Sequence, residues 1–208
     1  MSSAATPEMP GEPGEPATSE APGRSGKPAP TGTTAVVITL AEADVLLDAA
    51  RQVNASLVRP GLPAHVTLRY PFLPAAELSA ATDRAVRDFA AATPAREVEL
   101  TEVTTAQGFV AVAVPALQPV ADAFGELWPG MAPYSGRFGP HPPTHVTVAT
   151  GSTDEETLTV ATRLRPLLPL TARAGALHLA VREDEGWRIR LTARFRSPRD
   201  AAFGRGPG

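Results

Sequence analysis

The sequence of 208 residues contains no cysteine, no long apolar run and no excess of basic residues. Without cysteine, the chain can form no disulfide bond and no thiolate zinc site, and it has no cysteine nucleophile. A membrane-spanning helix needs an apolar run of about 18 residues or more, so we expect no membrane partner. The N-terminus has neither the basic region nor the apolar core of a secretory signal, and we therefore expect a cytoplasmic protein.

The charge balance limits the possible partners. Between Thr33 and Arg196 the chain has 15 arginines, no lysine and 17 acidic residues, which gives a charge of −2. Proteins that hold an extended nucleic acid usually carry a net positive charge, because neutralising phosphates provides most of their affinity. The composition therefore argues against a long duplex as partner and favours a small ligand or a nucleic-acid end.

The two ends of the chain differ in composition from its centre. Residues 1–32 are rich in Pro, Gly, Ala, Ser and Glu and contain almost no large apolar side chain. Such a segment cannot bury enough apolar surface to offset the entropy lost on ordering, so we predict a disordered tail. Residues 197–208 have a similar composition and are predicted to form a flexible C-terminal tail. The predicted folded domain is 33–196.

Two identical tripeptides, His65-Val66-Thr67 and His145-Val146-Thr147, each lie in a run with the β-branched character of a strand. Side chains alternate along a strand, so the histidine and threonine of each motif share one face and the valine points to the other. Two imidazoles can divide acid and base roles near neutral pH, and two hydroxyls can hold the oxygens of a phosphate. A single motif of this kind is usually part of an ordinary strand. It is the occurrence of two identical motifs that indicates a functional site.

Hydrophobic periodicity and Pro/Gly punctuation predict the elements around the motifs. The predicted strands are 34–40, 64–70, 96–104, 109–114, 144–149, 174–181 and 187–195, and the predicted helices are 41–53, 75–92, 116–127 and 154–168, the last with Thr153 as N-cap.

The order of these elements repeats. Strand, helix, loop, motif strand, helix and strand occur twice, in about residues 33–104 and 108–196. His65 lies 33 residues before Val98 of a predicted strand, and His145 lies 32 residues before Leu177 of another. We interpret this as an internal duplication in which each half brings one motif strand to a shared groove. The alternative is two unrelated α/β stretches with similar loops.

The last predicted strand alternates between apolar residues and arginines. If its apolar face packs on helices, the other face, which includes Arg188 and Arg190, points the same way as the motif histidines. Guanidinium groups there could contact a substrate phosphate. An exposed edge strand, whose charges prevent aggregation, is an equally good interpretation.

The segments HVTLRYPFLP at 65–74 and PTHVTVA at 143–149 resemble the two signature motifs of the 2H phosphoesterase superfamily, which includes 2′-5′ RNA ligase-like proteins and 2′,3′-cyclic phosphodiesterases. The resemblance implies an α+β fold, built as a bilobal duplicated α/β unit whose antiparallel sheets line a central cleft, with helices outside. It also implies chemistry that uses no metal and no cofactor.

Carried over by position, the resemblance makes His65 and His145 the catalytic pair, and Thr67 and Thr147 the phosphate-binding residues. One imidazole would activate a water to attack a cyclic phosphodiester while the other protonates the leaving ribose oxygen. The substrate implied is a 2′,3′-cyclic phosphate on an RNA end or a small nucleotide, or a related cyclic phosphate, and we expect a monomer. A 2′- and a 3′-phosphate product are both compatible with the sequence.

Arg69 stands where the family often has an aliphatic residue, and by strand alternation it shares a face with the first motif. It is therefore a candidate third phosphate-binding residue, with a salt bridge as the alternative. Tyr70 and Phe72 are candidate substrate contacts, because an aromatic ring at the cleft can stack on a base. Tyr134 lies in the loop before the second motif. An aromatic residue at such a position more often packs in the core than contacts a substrate.

The sequence is also compatible with two other functions. A non-catalytic module that binds a phosphate or an RNA end would use the same groove, and the chain lacks the basic residue that several relatives carry shortly after the second motif. An RNA 2′-5′ ligase would run the reverse reaction with the same two imidazoles.

Overall fold

The computed structural model of the chain describes residues 29–197, so most of both predicted tails lies outside the described residues. Within this range the chain forms nine β-strands and four α-helices, joined by short 3-10 turns. The strands are β1 (Thr34–Thr39), β2 (His65–Arg69), β3 (Arg96–Leu100), β4 (Val103–Ala106), β5 (Phe109–Ala113), β6 (His145–Thr150), β7 (Leu170–Ala174), β8 (Ala176–Glu183) and β9 (Gly186–Arg194). The helices are α1 (Asp44–Arg51), α2 (Ala80–Ala92), α3 (Gln118–Glu126) and α4 (Asp154–Leu164).

Seven strands form one antiparallel sheet in the order β4-β5-β6-β2-β1-β8-β9, and β3 pairs with β7 in a separate two-stranded sheet. This combination of helices and antiparallel strands confirms the α+β fold class. The two motif strands, β2 and β6, lie side by side at the centre of the large sheet, where Val66 pairs with Val146. The two halves of the sheet meet at this seam.

The topology shows how the two predicted repeats are combined. β4 ends the first repeat but pairs with β5, the first strand of the second repeat, and β8 of the second repeat correspondingly pairs with β1. Helices cross over as well, since α1 contacts β6 and α3 contacts β2. Apart from β9, the strand order is therefore symmetric about the β2–β6 seam.

Two parts of the secondary structure differ from the sequence prediction. The strand predicted for 96–104 is interrupted after Leu100, so β3 and β4 enter different sheets. β7 was not predicted, because its sequence LTARA is rich in alanine and lacks a strong strand pattern. By element order the counterpart of β3 in the second repeat is β7, and not the strand around Leu177 that the predicted spacing aligned with Val98; β3 and β7 also pair, with Val98 opposite Ala172.

The described part of the N-terminal segment is attached to the domain, so the predicted boundary at residue 33 lies too far along the chain. The Gly32 amide donates to the Arg182 carbonyl and the Ala75 amide donates to the Gly32 carbonyl, both at 2.8 Å. The Thr31 hydroxyl bonds to Asp184 at 2.7 Å. Composition does not reveal these bonds, because they are made mainly by backbone groups.

One face of the large sheet packs against the helices and forms the core, with Ile38, Leu46, Phe124 and Val146 fully buried. The α4 helix begins with a capping box in which Thr153 and Glu156 bond reciprocally, which confirms the predicted N-cap. In the part of the chain that the structure describes, every helix is too short or too polar to cross a membrane. We call the opposite face, which carries the motif histidines and threonines, the groove face.

Candidate active site

The two motif histidines are held by the same local structure. The Nδ1 atom of His65 lies 2.7 Å from the Pro63 carbonyl oxygen, and Nδ1 of His145 lies 2.8 Å from that of Pro143. A carbonyl oxygen can only accept, so each Nδ1 carries a proton and donates it. Nε2 of each imidazole is therefore the nitrogen available for proton transfer, as a base when neutral and an acid when protonated.

The residue before each histidine is also fixed in an equivalent way. The Ala64 amide donates to the Asp44 carboxylate at 2.6 Å, and the Thr144 amide donates to the Gln118 side-chain oxygen at 3.0 Å. Both acceptors lie at the start of a helix, α1 or α3, that follows the first strand of its repeat. The duplicated architecture thus positions each motif strand through one side chain from a helix N-terminus.

The pairing of Val66 with Val146 sets the arrangement of the motif side chains. In that antiparallel register His65 lies opposite Thr147, and Thr67 lies opposite His145. The two histidines are then diagonal neighbours, and such positions have their Cα atoms about 7–8 Å apart. This separation leaves room for one phosphate group, with a threonine hydroxyl beside each imidazole.

Burial lowers the pKa of both histidines. For His65 the largest cause is desolvation, and the positive charges of Arg59 and of a protonated His145 lower the pKa further, while the Pro63 carbonyl acts in the opposite direction. For His145, desolvation also outweighs the bond to Pro143. Both imidazoles therefore favour the neutral form at pH 7, and because each imidazolium disfavours the other, the pair binds one proton more readily than two.

Arg59 is a site residue that the sequence prediction missed. It lies in the loop that enters β2, is exposed, and acts electrostatically on both His65 and Tyr134. Among the described residues it makes no ion pair with a carboxylate. The available signal was its position, six residues before the first motif histidine, in a Pro- and Gly-marked loop.

The predicted position of Arg69 on the groove face is wrong. A β-bulge at Leu68 lets Arg69 pair with Val36, a core residue, so that its side chain points to the helix face. Arg69 is 5% exposed, its guanidinium lies against Gly125 of α3, and it donates to the Met131 carbonyl at 2.5 Å. It therefore anchors the loop after α3 and does not reach a phosphate between the histidines.

Three of the other predicted contacts are also wrong. Phe72 is 3% exposed and its ring lies 5.0 Å from that of Trp128, so it is a core residue. Arg188 is bound to Glu183 at the turn between β8 and β9. Arg190 is bound to Asp83 of α2 on the helix side of the sheet.

The physical reason for the misplaced arginine is a second bulge. The register of β8 and β9 shifts between Leu179 and Ala180, which pair with Leu191 and Ile189, so Arg190 is the extra residue. The predicted alternation of β9 is thereby broken in its middle. Beyond the bulge Thr192 and Arg194 do face the groove.

Tyr134, an aromatic residue of the loop before the second motif, contacts the site directly. Its backbone is left-handed (φ 50°, ψ 34°), and its amide donates to the Tyr70 carbonyl at 2.5 Å. Its hydroxyl bonds to the Thr67 side chain. Burial raises the pKa of Tyr134, so the phenol stays protonated. Either hydroxyl of the pair can donate, and when the phenol does so the Thr67 hydrogen is left for a phosphate oxygen.

Aromatic rings form one wall of the groove beside Thr67. The ring of Tyr70 lies 6.0 Å from that of Tyr134 and 6.1 Å from that of Trp187. On the other side, Phe109 stands edge-on to the His145 imidazole at 5.7 Å. Tyr70 therefore lies beside the groove, and its contact with a substrate stays a prediction. Within residues 29–197 no group of three or more potential metal ligands occurs.

Comparison with known families matches residues 39–186 to the 2′-5′ RNA ligase superfamily, the 2H phosphoesterases. The chain belongs to this family. Membership confirms the resemblance drawn from the two motifs and supports a phosphoesterase- or ligase-like function. A search of curated proteins finds no match.

Solved structures agree with this 2H phosphoesterase fold. The protein TT0787 of Thermus thermophilus aligns with a TM-score of 0.51 at 14% identity, over 80% of this chain and 99% of that chain. Kluyveromyces marxianus Usb1 aligns with a TM-score of 0.52 at 19% identity, over 79% of this chain and 99% of that chain. At such identities the similarity concerns the fold alone and does not extend to the chemistry of the site.

Proposed function

We propose that the protein is a metal-independent phosphodiesterase that opens a 2′,3′-cyclic phosphate at an RNA end or on a small nucleotide. One observation carries the proposal. Both motif histidines donate from Nδ1 to a proline carbonyl and so present Nε2 as the reactive nitrogen on adjacent strands. Two such nitrogens, carried by residues at diagonal positions of adjacent strands, can act on opposite sides of one phosphorus atom.

In this mechanism His65 is the base. Burial and then the positive charge of Arg59 lower the pKa of His65, which favours the neutral form that a base needs. Its Nε2 takes a proton from a water whose oxygen attacks phosphorus. Protonated His145 gives its Nε2 proton to the ribose oxygen as the phosphorus–oxygen bond of the ring breaks. The products are a phosphate monoester and a free ribose hydroxyl, and the proton on His65 returns through solvent to His145.

The remaining groups stabilise the negative charge that develops on the phosphate oxygens. Thr67, held by Tyr134, and Thr147 each donate a hydroxyl hydrogen. Arg59, in place of Arg69, provides the positive charge. Hydrogen bonds that are already oriented in the free enzyme cost no reorganisation during the reaction.

The test is hydrolysis of 2′,3′-cyclic nucleotides by purified protein in excess EDTA, followed by phosphorus NMR, which also distinguishes the 2′- from the 3′-phosphate. His65→Ala and His145→Ala should each lower turnover at least about a hundredfold. His141→Ala is the matched control, because that histidine is exposed and bound to Asp122. Loss of activity in EDTA with recovery on adding a divalent metal would overturn the metal-free mechanism.

The same assay separates the two alternatives. A cyclic nucleotide that binds but is unchanged after hours would indicate a binding module. Joining of an RNA carrying a 2′,3′-cyclic end to an RNA carrying a 5′-hydroxyl would indicate ligation, which uses the same acid and base in the reverse direction.

A further inference from the structure

The groove face continues beyond the motif strands, across β1 and β8 to β9. Thr39 of β1 pairs with His65, and one step further along the same antiparallel register it lies opposite Ala176 of β8. Ala176 in turn pairs with Arg194 of β9. Because directly paired residues share a face, Arg194 points to the same side of the sheet as His65.

A parallel row of polar side chains forms the floor between these two residues. His178 of β8 is 8% exposed, with Nε2 2.9 Å from the Thr39 hydroxyl and Nδ1 3.0 Å from the Thr192 hydroxyl. Both ring nitrogens are therefore occupied, which excludes His178 as a third base for the reaction. It instead keeps the groove polar as far as β9.

The row ends at a cavity of about 390 Å³ lined by Arg173, Arg194 and Thr192. Neither guanidinium is bound to a carboxylate among the described residues, whereas the other β9 arginines, Arg188 and Arg190, both are. Two carboxylates belong to the surroundings of Arg173: Glu42 accepts from its backbone amide at 3.1 Å, and Glu97 of β3 is its cross-strand neighbour but makes no ion pair with it. Two unpaired guanidiniums and a hydroxyl in one concave site are suited to bind a phosphate. We call this site the distal cavity.

We propose that the distal cavity binds a backbone phosphate of a single-stranded RNA whose 3′-terminal cyclic phosphate lies between His65 and His145. The position of the reacting end rests on the proposed function. Three strand spacings separate β2 from β9, which amounts to about 14 Å. At about 3.4 Å per stacked nucleotide this distance corresponds to about four nucleotides. The preferred substrate is therefore a short RNA end and not a mononucleotide.

Single-stranded binding of this kind relies on a charged groove that follows the backbone, with bases stacked on aromatic rings. The rings of Tyr70, Tyr134 and Trp187 lie beside the reacting end. The charge is local, which is compatible with the charge of −2 between Thr33 and Arg196. Only one RNA strand of a few nucleotides is then bound, and no duplex surface is required.

The binding test uses a hexanucleotide RNA with a 2′,3′-cyclic end and a 5′-fluorescein, with anisotropy measured from low to moderate salt. Arg173→Gln and Arg194→Gln should each weaken binding about tenfold, the scale for losing one charge-assisted bond. Each should also make the slope of log affinity against log salt shallower by about 0.7. Arg163→Gln on α4 is the charge-matched control and should change neither quantity.

Kinetics provide a second arm. With the hexanucleotide both variants should raise KM at unchanged kcat, and with a 2′,3′-cyclic mononucleotide both constants should stay at the wild-type values. Equal losses of kcat/KM on the two substrates would show that the distal cavity does not bind the RNA. A wild-type enzyme whose kcat/KM does not depend on RNA length would show the same. If no cyclic phosphate is hydrolysed, the proposed function is wrong. The anisotropy measurement still tests whether the distal cavity binds RNA. Arg194→Lys keeps the positive charge and should bind more tightly than Arg194→Gln. That result would show that the loss in Arg194→Gln is not caused by a folding defect.

Discussion

The lowered pKa values of the two motif histidines determine how activity should depend on pH. The free enzyme must hold one neutral and one protonated imidazole, so kcat/KM should follow a bell with its maximum between the two pKa values. Burial lowers both pKa values below the usual value of about 6.5. The maximum should therefore lie on the acidic side of about pH 6.5. At pH 8 less than about 3% of the acid would be protonated, and kcat/KM should fall at least about tenfold from the maximum.

The assay is kcat/KM for a 2′,3′-cyclic nucleotide from pH 4.5 to 9 in a constant-ionic-strength buffer series. His65→Ala should remove the acidic limb and His145→Ala the alkaline limb, because each variant lacks one of the two titrating groups. His141→Ala should reproduce the wild-type profile. A maximum above about pH 7.5, or a flat profile, would show that the two imidazoles do not share the proton transfer as proposed.

Three further substitutions test individual contacts. Tyr134→Phe removes the bond to Thr67, so kcat/KM should fall about three- to tenfold with no change in the pH profile, and an unchanged kcat/KM would refute the orienting role. Arg59→Gln should make the salt dependence of kcat/KM shallower while urea unfolding stays as in the wild type. Arg69→Met should do the opposite: the free energy of unfolding should fall by about 1.5–3 kcal/mol, because a charge-assisted bond is lost, while the salt dependence is unchanged. A reversed result for these two arginines would restore Arg69 to the phosphate site.

Local sequence patterns predicted the parts of the site that depend on short-range geometry. The identical His-Val-Thr motifs placed the histidines, threonines and buried valines on the correct faces of β2 and β6. The N-cap at Thr153 could likewise be predicted, because a threonine followed by acidic residues stabilises a helix start whatever its tertiary surroundings.

The misplaced residues follow from features that depend on strand partners. A bulge is defined by two residues facing one on the neighbouring strand, and alternation along a single strand does not reveal it. Arg69 comes immediately after such a position and Arg190 is the extra residue of another, so each changed face. The contact of Tyr134 with Thr67 cannot be predicted from the sequence, because it requires a left-handed backbone, which side-chain identity does not indicate for tyrosine.

The exchange of β4 and β8 between the repeats has a consequence for the origin of the acid and base. Two separate copies of one repeat, exchanging a strand in this manner, would form a two-fold symmetric dimer. Symmetry would then give both histidines identical surroundings and identical affinity for a proton. Joining the copies in one chain removes that restriction: Asp44 faces one motif where Gln118 faces the other, and Arg59 acts on His65. Covalent fusion thus allows two equivalent residues to differ, as the proposed mechanism requires of a base that removes a proton and an acid that delivers one.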